Sequence, residues 1–181
     1  MKRLFLTAGL TAVLSLAAFA ATDAGPNFSG TWALDKAKSQ GLDQRMQNAE
    51  SVTCVITQDD KNISIEWKIA AGQPAAGAPA GGAGGGGGRG PAGPQTYTLD
   101  GKEVTTEGGG QMGGTSTRKA TLDGNTLELT SIRAGSFNGN DFKATTTDKL
   151  SLSADGKTLT IVRHAESPRG TTDSTMVFNK Q

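Results

Sequence analysis

Short turn pairs able to adopt positive φ, flanked by residues that alternate apolar and polar, constrain this chain more than any other feature. Asp-Gly and Gly-Asn pairs suit the primed turns whose twist matches that of two antiparallel strands. With Asp155-Gly156 as a two-residue turn, Leu152 stands opposite Leu159, Leu150 opposite Ile161 and Asp148 opposite Arg163. Apolar meets apolar and charge meets counter-charge, so turn and pattern agree. Gly124-Asn125 likewise sets Leu122 opposite Leu127, Ala120 opposite Leu129 and Arg118 opposite Ser131. Asp100-Gly101 sets Tyr97 opposite Val104, and Asp59-Asp60 sets Ile56 opposite Ile63 and Cys54 opposite Ile65. Consecutive hairpins of this kind describe a meander of antiparallel strands.

The same period of two runs through the rest of the chain. Phe28, Gly30, Trp32 and Leu34 share one face of a first strand; Val52, Cys54 and Ile56 share one face of a second; Ile63, Ile65, Trp67 and Ile69 alternate without a fault. Weaker alternation continues through Tyr97, Leu99, Val104, Phe142, Met176 and Phe178. Helical spacing occurs at Leu42, Met46 and Ala49, which predicts one two-turn helix over 42–50. So many strands with one apolar face would expose two edges unless the sheet curls. The expectation is therefore all-β, an up-and-down meander closing into a barrel or half-barrel.

Two segments stand apart from this pattern. Met1-Lys2-Arg3, an apolar run over Leu4–Phe19 and the triplet Ala18-Phe19-Ala20 have the build of a secretory signal, with cleavage expected after Ala20. The run is too short to serve as a lasting anchor, so the expected product is exported, periplasmic or extracellular, with no membrane segment left. From Ala70 to Pro94 the chain is almost entirely Gly, Ala and Pro. Such a tract buries nothing and is expected to be a disordered loop inside a single β domain over 21–181. Closing a long loop costs only about 0.6 kcal/mol per doubling of its length, so a sheet tolerates it between two strands.

With 18 Lys and Arg against 17 Asp and Glu, and with Lys2 and Arg3 in the signal, the mature chain is close to neutral. A phosphate backbone needs a basic surface, so nucleic acid is a poor partner. The one cysteine, Cys54, excludes an internal disulfide and, in phase with Val52 and Ile56, reads as a buried, inert thiol. His164, the one histidine, falls in the outward phase of its strand, with Glu166 and Asp173 near it across the Ser167–Gly170 turn. With no second His or Cys at ligand spacing, neither a metal site nor a cofactor is expected. The glycine tract contains G-x-G-x-x-G, as any polyglycine does, but lacks the strand, helix and acidic residue that a nucleotide site needs. Arg89 alone makes no nucleic-acid-binding tract. Acid–base or nucleophilic catalysis needs paired groups that this chain hardly has, which argues against an enzyme.

The opening Asn27-Phe28-Ser29-Gly30-Thr31-Trp32 resembles the G-x-W start of lipocalin-like barrels, and Thr147-Asp148, expected near the start of a late strand, resembles their second short motif. With the hairpin Asp155-Gly156-Lys157-Thr158-Leu159-Thr160-Ile161, the chain is similar to small secreted bacterial lipocalin-like proteins, mostly without an assigned activity. The resemblance implies a barrel, and implies that Arg163 packs over the motif tryptophan, Trp32. This chain departs from the family in lacking an internal disulfide and a C-terminal helix, and in carrying the glycine-rich insertion.

Arg118, Asp148 and Arg163 are charges in the inward phase of adjoining hairpins. They can form an ion cluster that merely holds one end of the barrel. They can also anchor the polar head of a ligand in a cavity otherwise lined by Trp32, Trp67, Tyr97 and Phe142. The expected function is thus a non-catalytic binder of a small, partly apolar or amphiphilic ligand; the alternative is a structural or interaction protein of the cell envelope with a solid core.

Overall fold

The computed structural model describes residues 25–71, 93–107, 114–137 and 139–181. The expected signal peptide, residues 1–20, and most of the Gly/Ala/Pro tract lie outside the described residues. The elements are β1 (Gly30–Leu34), α1 (Gln44–Asn48), β2 (Ser51–Gln58), β3 (Asn62–Ala70), β4 (Gln95–Thr98), β5 (Val104–Glu107), β6 (Thr115–Asp123), β7 (Thr126–Phe137), β8 (Asn140–Leu152), β9 (Thr158–Ser167) and β10 (Gly170–Lys180). The strands form one sheet in the order β4-β3-β2-β1-β10-β9-β8-β7-β6-β5. All its pairings are antiparallel. Because β1 pairs with both β2 and β10, the meander closes on itself. The result is a nearly closed up-and-down barrel, with a slit between β4 and β5 where β4 approaches β6.

The turn chemistry sets most of this register. Gly156 and Gly124 adopt φ of 67° and 57°. Asp148 pairs with Arg163 and Leu150 with Ile161, while Arg118 pairs with Ser131 and Ala120 with Leu129, as those turns require. Two hairpins differ from the sequence expectation. At Asp59-Asp60 the pairing is displaced by two residues, so Ile56 faces Ile65, Cys54 faces Trp67 and Gln58 faces Ile63. The cause is the Asp59 carboxylate, which accepts from the backbone N–H of Lys61 at 2.8 Å and of Asn62 at 2.7 Å. This local bonding makes Asp59 the first corner of the turn rather than its centre. A shift of two leaves every side chain on its expected face.

At Asp100-Gly101 the turn forms, with Gly101 at φ 75°, but Tyr97 and Val104 do not pair. Instead Tyr97 pairs with Ile63 on β3, and Val104 with Arg118 on β6. Both strands are only four residues long. One apolar pair between them is a weak ladder, whereas each finds a longer strand on its other side. The Asp100-Gly101 hairpin therefore becomes the slit.

The helix is shorter than the predicted 42–50. Asp43 caps it by accepting from the Met46 N–H at 2.7 Å, and Met46 and Ala49 pack against the core. Gly41, at φ 65°, lies so close to β10 that a Cβ there would fall 2.3 Å from the Asp173 carbonyl oxygen. With the Gln40–Thr175 bridge, this ties the β1–β2 connection to the barrel wall. The core holds Phe28, Trp32, Val52, Cys54, Ile56, Ile63 and Ile65 with Leu127, Leu129, Leu150, Leu159, Ile161, Met176 and Phe178. Leu122 keeps its expected partner Leu127 but stands at the barrel's end, 45% exposed.

Candidate functional site

The inward-facing residues of β6 to β10 form cross-strand rows whose chemistry changes along the barrel. One row, Leu122–Leu127–Leu150–Ile161–Met176, is wholly apolar, as is Leu152–Leu159–Phe178 one step below it. The next above the first is Ala120–Leu129–Asp148–Arg163–Ser174, and above it runs Arg118–Ser131–Thr146–Ala165–Thr172. Ser116 and Arg133 stand opposite each other one step higher. The wall thus passes from hydrocarbon to hydroxyl and guanidinium, while the facing strands β2 and β3 stay apolar with Val52, Cys54, Ile65, Trp67 and Ile69.

Asp148 and Arg163 form a bidentate pair, Arg163 Nε donating to Oδ1 at 2.7 Å and Nη2 to Oδ2 at 2.8 Å. Their side chains are 13% and 25% exposed. Burial works to lower the pKa of the Arg163 guanidinium, but the Asp148 carboxylate outweighs it and raises the pKa, holding the charge in place. Arg163 also lies over Trp67, 5.2 Å from the ring centroid, and Trp67 meets Phe178 edge-on at 5.8 Å. Tyr97 is buried beside this group. Burial first, then the Asp148 charge, pushes its hydroxyl up to about 12 against the opposing pull of Arg118 and Arg163. Burial likewise pushes the Cys54 thiol up to about 12.

Arg118 differs from Arg163. Among the described residues its buried Nε has no hydrogen-bond partner, and neither has the hydroxyl oxygen of Ser116, two residues away on the same face of β6. Asp148 turns both its oxygens to Arg163, and among the described residues no carboxylate forms an ion pair with Arg118.

The structure therefore brings Trp67, Tyr97, Arg118, Asp148 and Arg163 together, and separates the other two candidates from them. Trp32 lies fully buried in the packed lower core, its indole N–H donating to the Phe28 carbonyl at 3.0 Å. The cation over it is Lys180, at 5.2 Å, and not Arg163. The reason is register: Trp32 pairs with Lys180, whereas Arg163 pairs with Ser174, well up the barrel. Phe142 shares the inward phase but stands six residues along β8 from Asp148, roughly 20 Å at strand rise. Nor do Thr147 and Asp148 begin a strand, since β8 already starts at Asn140. Ser116 is not legible as a site residue in the sequence, because a serine in a Thr/Ser-rich strand carries no signal until its lost hydrogen bond is seen.

On the outer face, His164 lies between two carboxylates, Nδ1 at 2.6 Å from Asp173 Oδ1 and Nε2 at 3.4 Å from Glu166 Oε1. Asp173 and then Glu166 raise its pKa above the ordinary 6.5. Both ring nitrogens are thus engaged with carboxylates, and neither holds a nucleophile. Elsewhere, a cleft of about 290 Å³ is lined by Lys36, Ser39, Gly41, Leu42 and Gln47. It belongs to the β1–β2 connection rather than to the inward-facing wall.

No protein-family model and no curated protein sequence matches the chain. Among solved structures it is similar to zebrafish ileal bile acid-binding protein complexed with cholic acid, at 13% identity and a TM-score of 0.47. The match covers 85% of this chain and 98% of that one.

Proposed function

We propose that this protein is exported and that its barrel is a non-catalytic binder of a small, partly apolar ligand. The observation that carries the proposal is the graded inner wall, apolar below and polar above, where the half-buried Arg118 keeps a buried Nε without a partner among the described residues. A binding site of this kind is mostly apolar, with a few convergent polar groups that fix orientation. Trp67, only partly buried, supplies flat apolar surface next to the charges, so an amphiphile can lie with its body on the ring. The N-terminal basic, apolar and A-x-A segments support export. Native mass spectrometry of the protein purified from its source tests the proposal. An adduct of small-molecule mass that dissociates on activation is expected, on a chain beginning at Ala21.

A second reading has an observation of its own. The lower rows are packed to 1% exposure or less at Leu127, Leu129, Leu150, Leu159 and Ile161, and the cleft of about 290 Å³ lies in the β1–β2 connection. These favour a solid core, with function in loops as a structural or interaction protein. An adduct-free mass, together with no uptake of an apolar fluorescent probe, supports that reading against the first.

A further inference from the structure

We infer that Ser116 and Arg118 form a site for the oxyanion head of the ligand, so that the barrel takes anionic rather than neutral amphiphiles; this rests on the binding reading above. Side chains two apart on a strand share a face, and here both members of the pair present a buried polar atom that has no hydrogen-bond partner among the described residues. Buried donors without partners are uncommon and unfavourable, and an ordered water or a ligand oxygen is what ordinarily satisfies them. Two donors side by side, one carried by a guanidinium, match a carboxylate, sulfonate or phosphate oxygen better than any neutral group.

The charge around the pair points the same way. On the inner wall of β6 to β9 the described strand residues present Arg118, Arg133 and Arg163 against a single carboxylate, Asp148. That carboxylate is consumed by the bidentate bond from Arg163, and Arg133 stands directly opposite Ser116. Arg133 is exposed at the upper end of that wall, and the outward phase of the same strands mixes Glu128 and Glu166 with Lys119, Lys143 and Lys149, so the cationic excess lies on the inward-facing phase. Trp67, with Arg163 stacked on it, offers the adjoining apolar surface for the rest of the molecule.

Two fluorescent probes of nearly one frame test this: 8-anilinonaphthalene-1-sulfonate, which carries the oxyanion, and N-phenyl-1-naphthylamine, which lacks it. The wild type is expected to bind the sulfonate at least about tenfold more tightly. Arg118→Met and, to a smaller degree, Ser116→Ala should remove that preference, and cooperative urea melts of both variants report that each is folded. Arg118→Lys, which keeps the charge but loses the guanidinium fork, should restore only part of it. Inorganic phosphate competing with the sulfonate in the wild type but not in Arg118→Met supports a site filled by a free oxyanion. Failure of phosphate to compete, with the preference intact, supports the head group of an amphiphile. Equal affinity for both probes, or an unchanged preference in Arg118→Met, overturns the oxyanion site and leaves the binding reading standing, with water on the two donors. Binding of neither probe overturns the binding reading itself.

Discussion

Removing the Asp148 carboxylate probes the inner wall most directly. In Asp148→Ala the Arg163 guanidinium loses hydrogen bonds of 2.7 and 2.8 Å at once, yet stays in place over Trp67. Stranding one partner of a desolvated ion pair costs about 3–5 kcal/mol. Arg163 is 25% exposed, so water reaches part of the stranded charge, and the expectation falls at the lower end, about 3 kcal/mol. Arg163→Met keeps an apolar stem on Trp67 and instead strands the carboxylate, which is 13% exposed, at a similar cost of about 3 kcal/mol. The double variant strands neither group, so its loss should be smaller than the sum of the single losses by about 2 kcal/mol or more. Urea melts of the wild type, both single variants and the double variant at neutral pH, with a common m value, measure this coupling. Single effects below about 0.5 kcal/mol that simply add would place both residues on solvated surface, and would refute the inner-wall argument.

Cys54 should resist a thiol reagent such as DTNB at pH 8 in the native protein and react on unfolding, because burial holds its pKa near 12 and leaves the thiol no thiolate. His164 should titrate in an NMR experiment above 6.5, and Asp173→Asn should bring it back toward that value. Since its folded-state pKa is raised, its contribution to stability is fully present below about pH 6.5 and is lost as pH rises through the folded-state value. Gly30→Ala should destabilise the barrel by about 1–3 kcal/mol in the same urea assay, because Gly30 sits at φ 151°. A methyl there would also press on the Lys180 side chain at 3.2 Å, beside Trp32.

Where local chemistry decides pairing, the amino-acid sequence is sufficient. Asp155-Gly156 and Gly124-Asn125 each admit one register, and the alternating residues beside them select the face, so the Asp148–Arg163 opposition is legible from the residues alone. Asp59-Asp60 misleads by two residues because either aspartate can cap the turn, and the pattern of Ile56, Ile63 and Ile65 is indifferent to a slip of two. The upper halves of β7 and β8 are hardly visible, since Thr130–Ser136 and Lys143–Thr147 carry little apolar alternation. Their one local signal is the Asn138-Gly139 pair, a strong hairpin marker. The placing of Trp32 under Lys180 is not legible at all. It depends on β10 returning to pair with β1, a contact between the two ends of the chain that no local pattern encodes.

The slit bears on the site as well as on the fold. Had Tyr97 paired with Val104, the Asp100-Gly101 hairpin would have filled the wall and joined β3 continuously to β6. Instead Tyr97 is held against Ile63 on one margin and Val104 against Arg118 on the other. Arg118 thereby lies on the strand next to the barrel's free edge, while Asp148 and Arg163 lie two and three strands further into the wall. The paired charges are locked inside a continuous ladder, and Arg118 stands beside the interruption. The wall is thus held by a bidentate pair where its ladder is continuous, and keeps a buried donor without a partner among the described residues on the strand next to its margin.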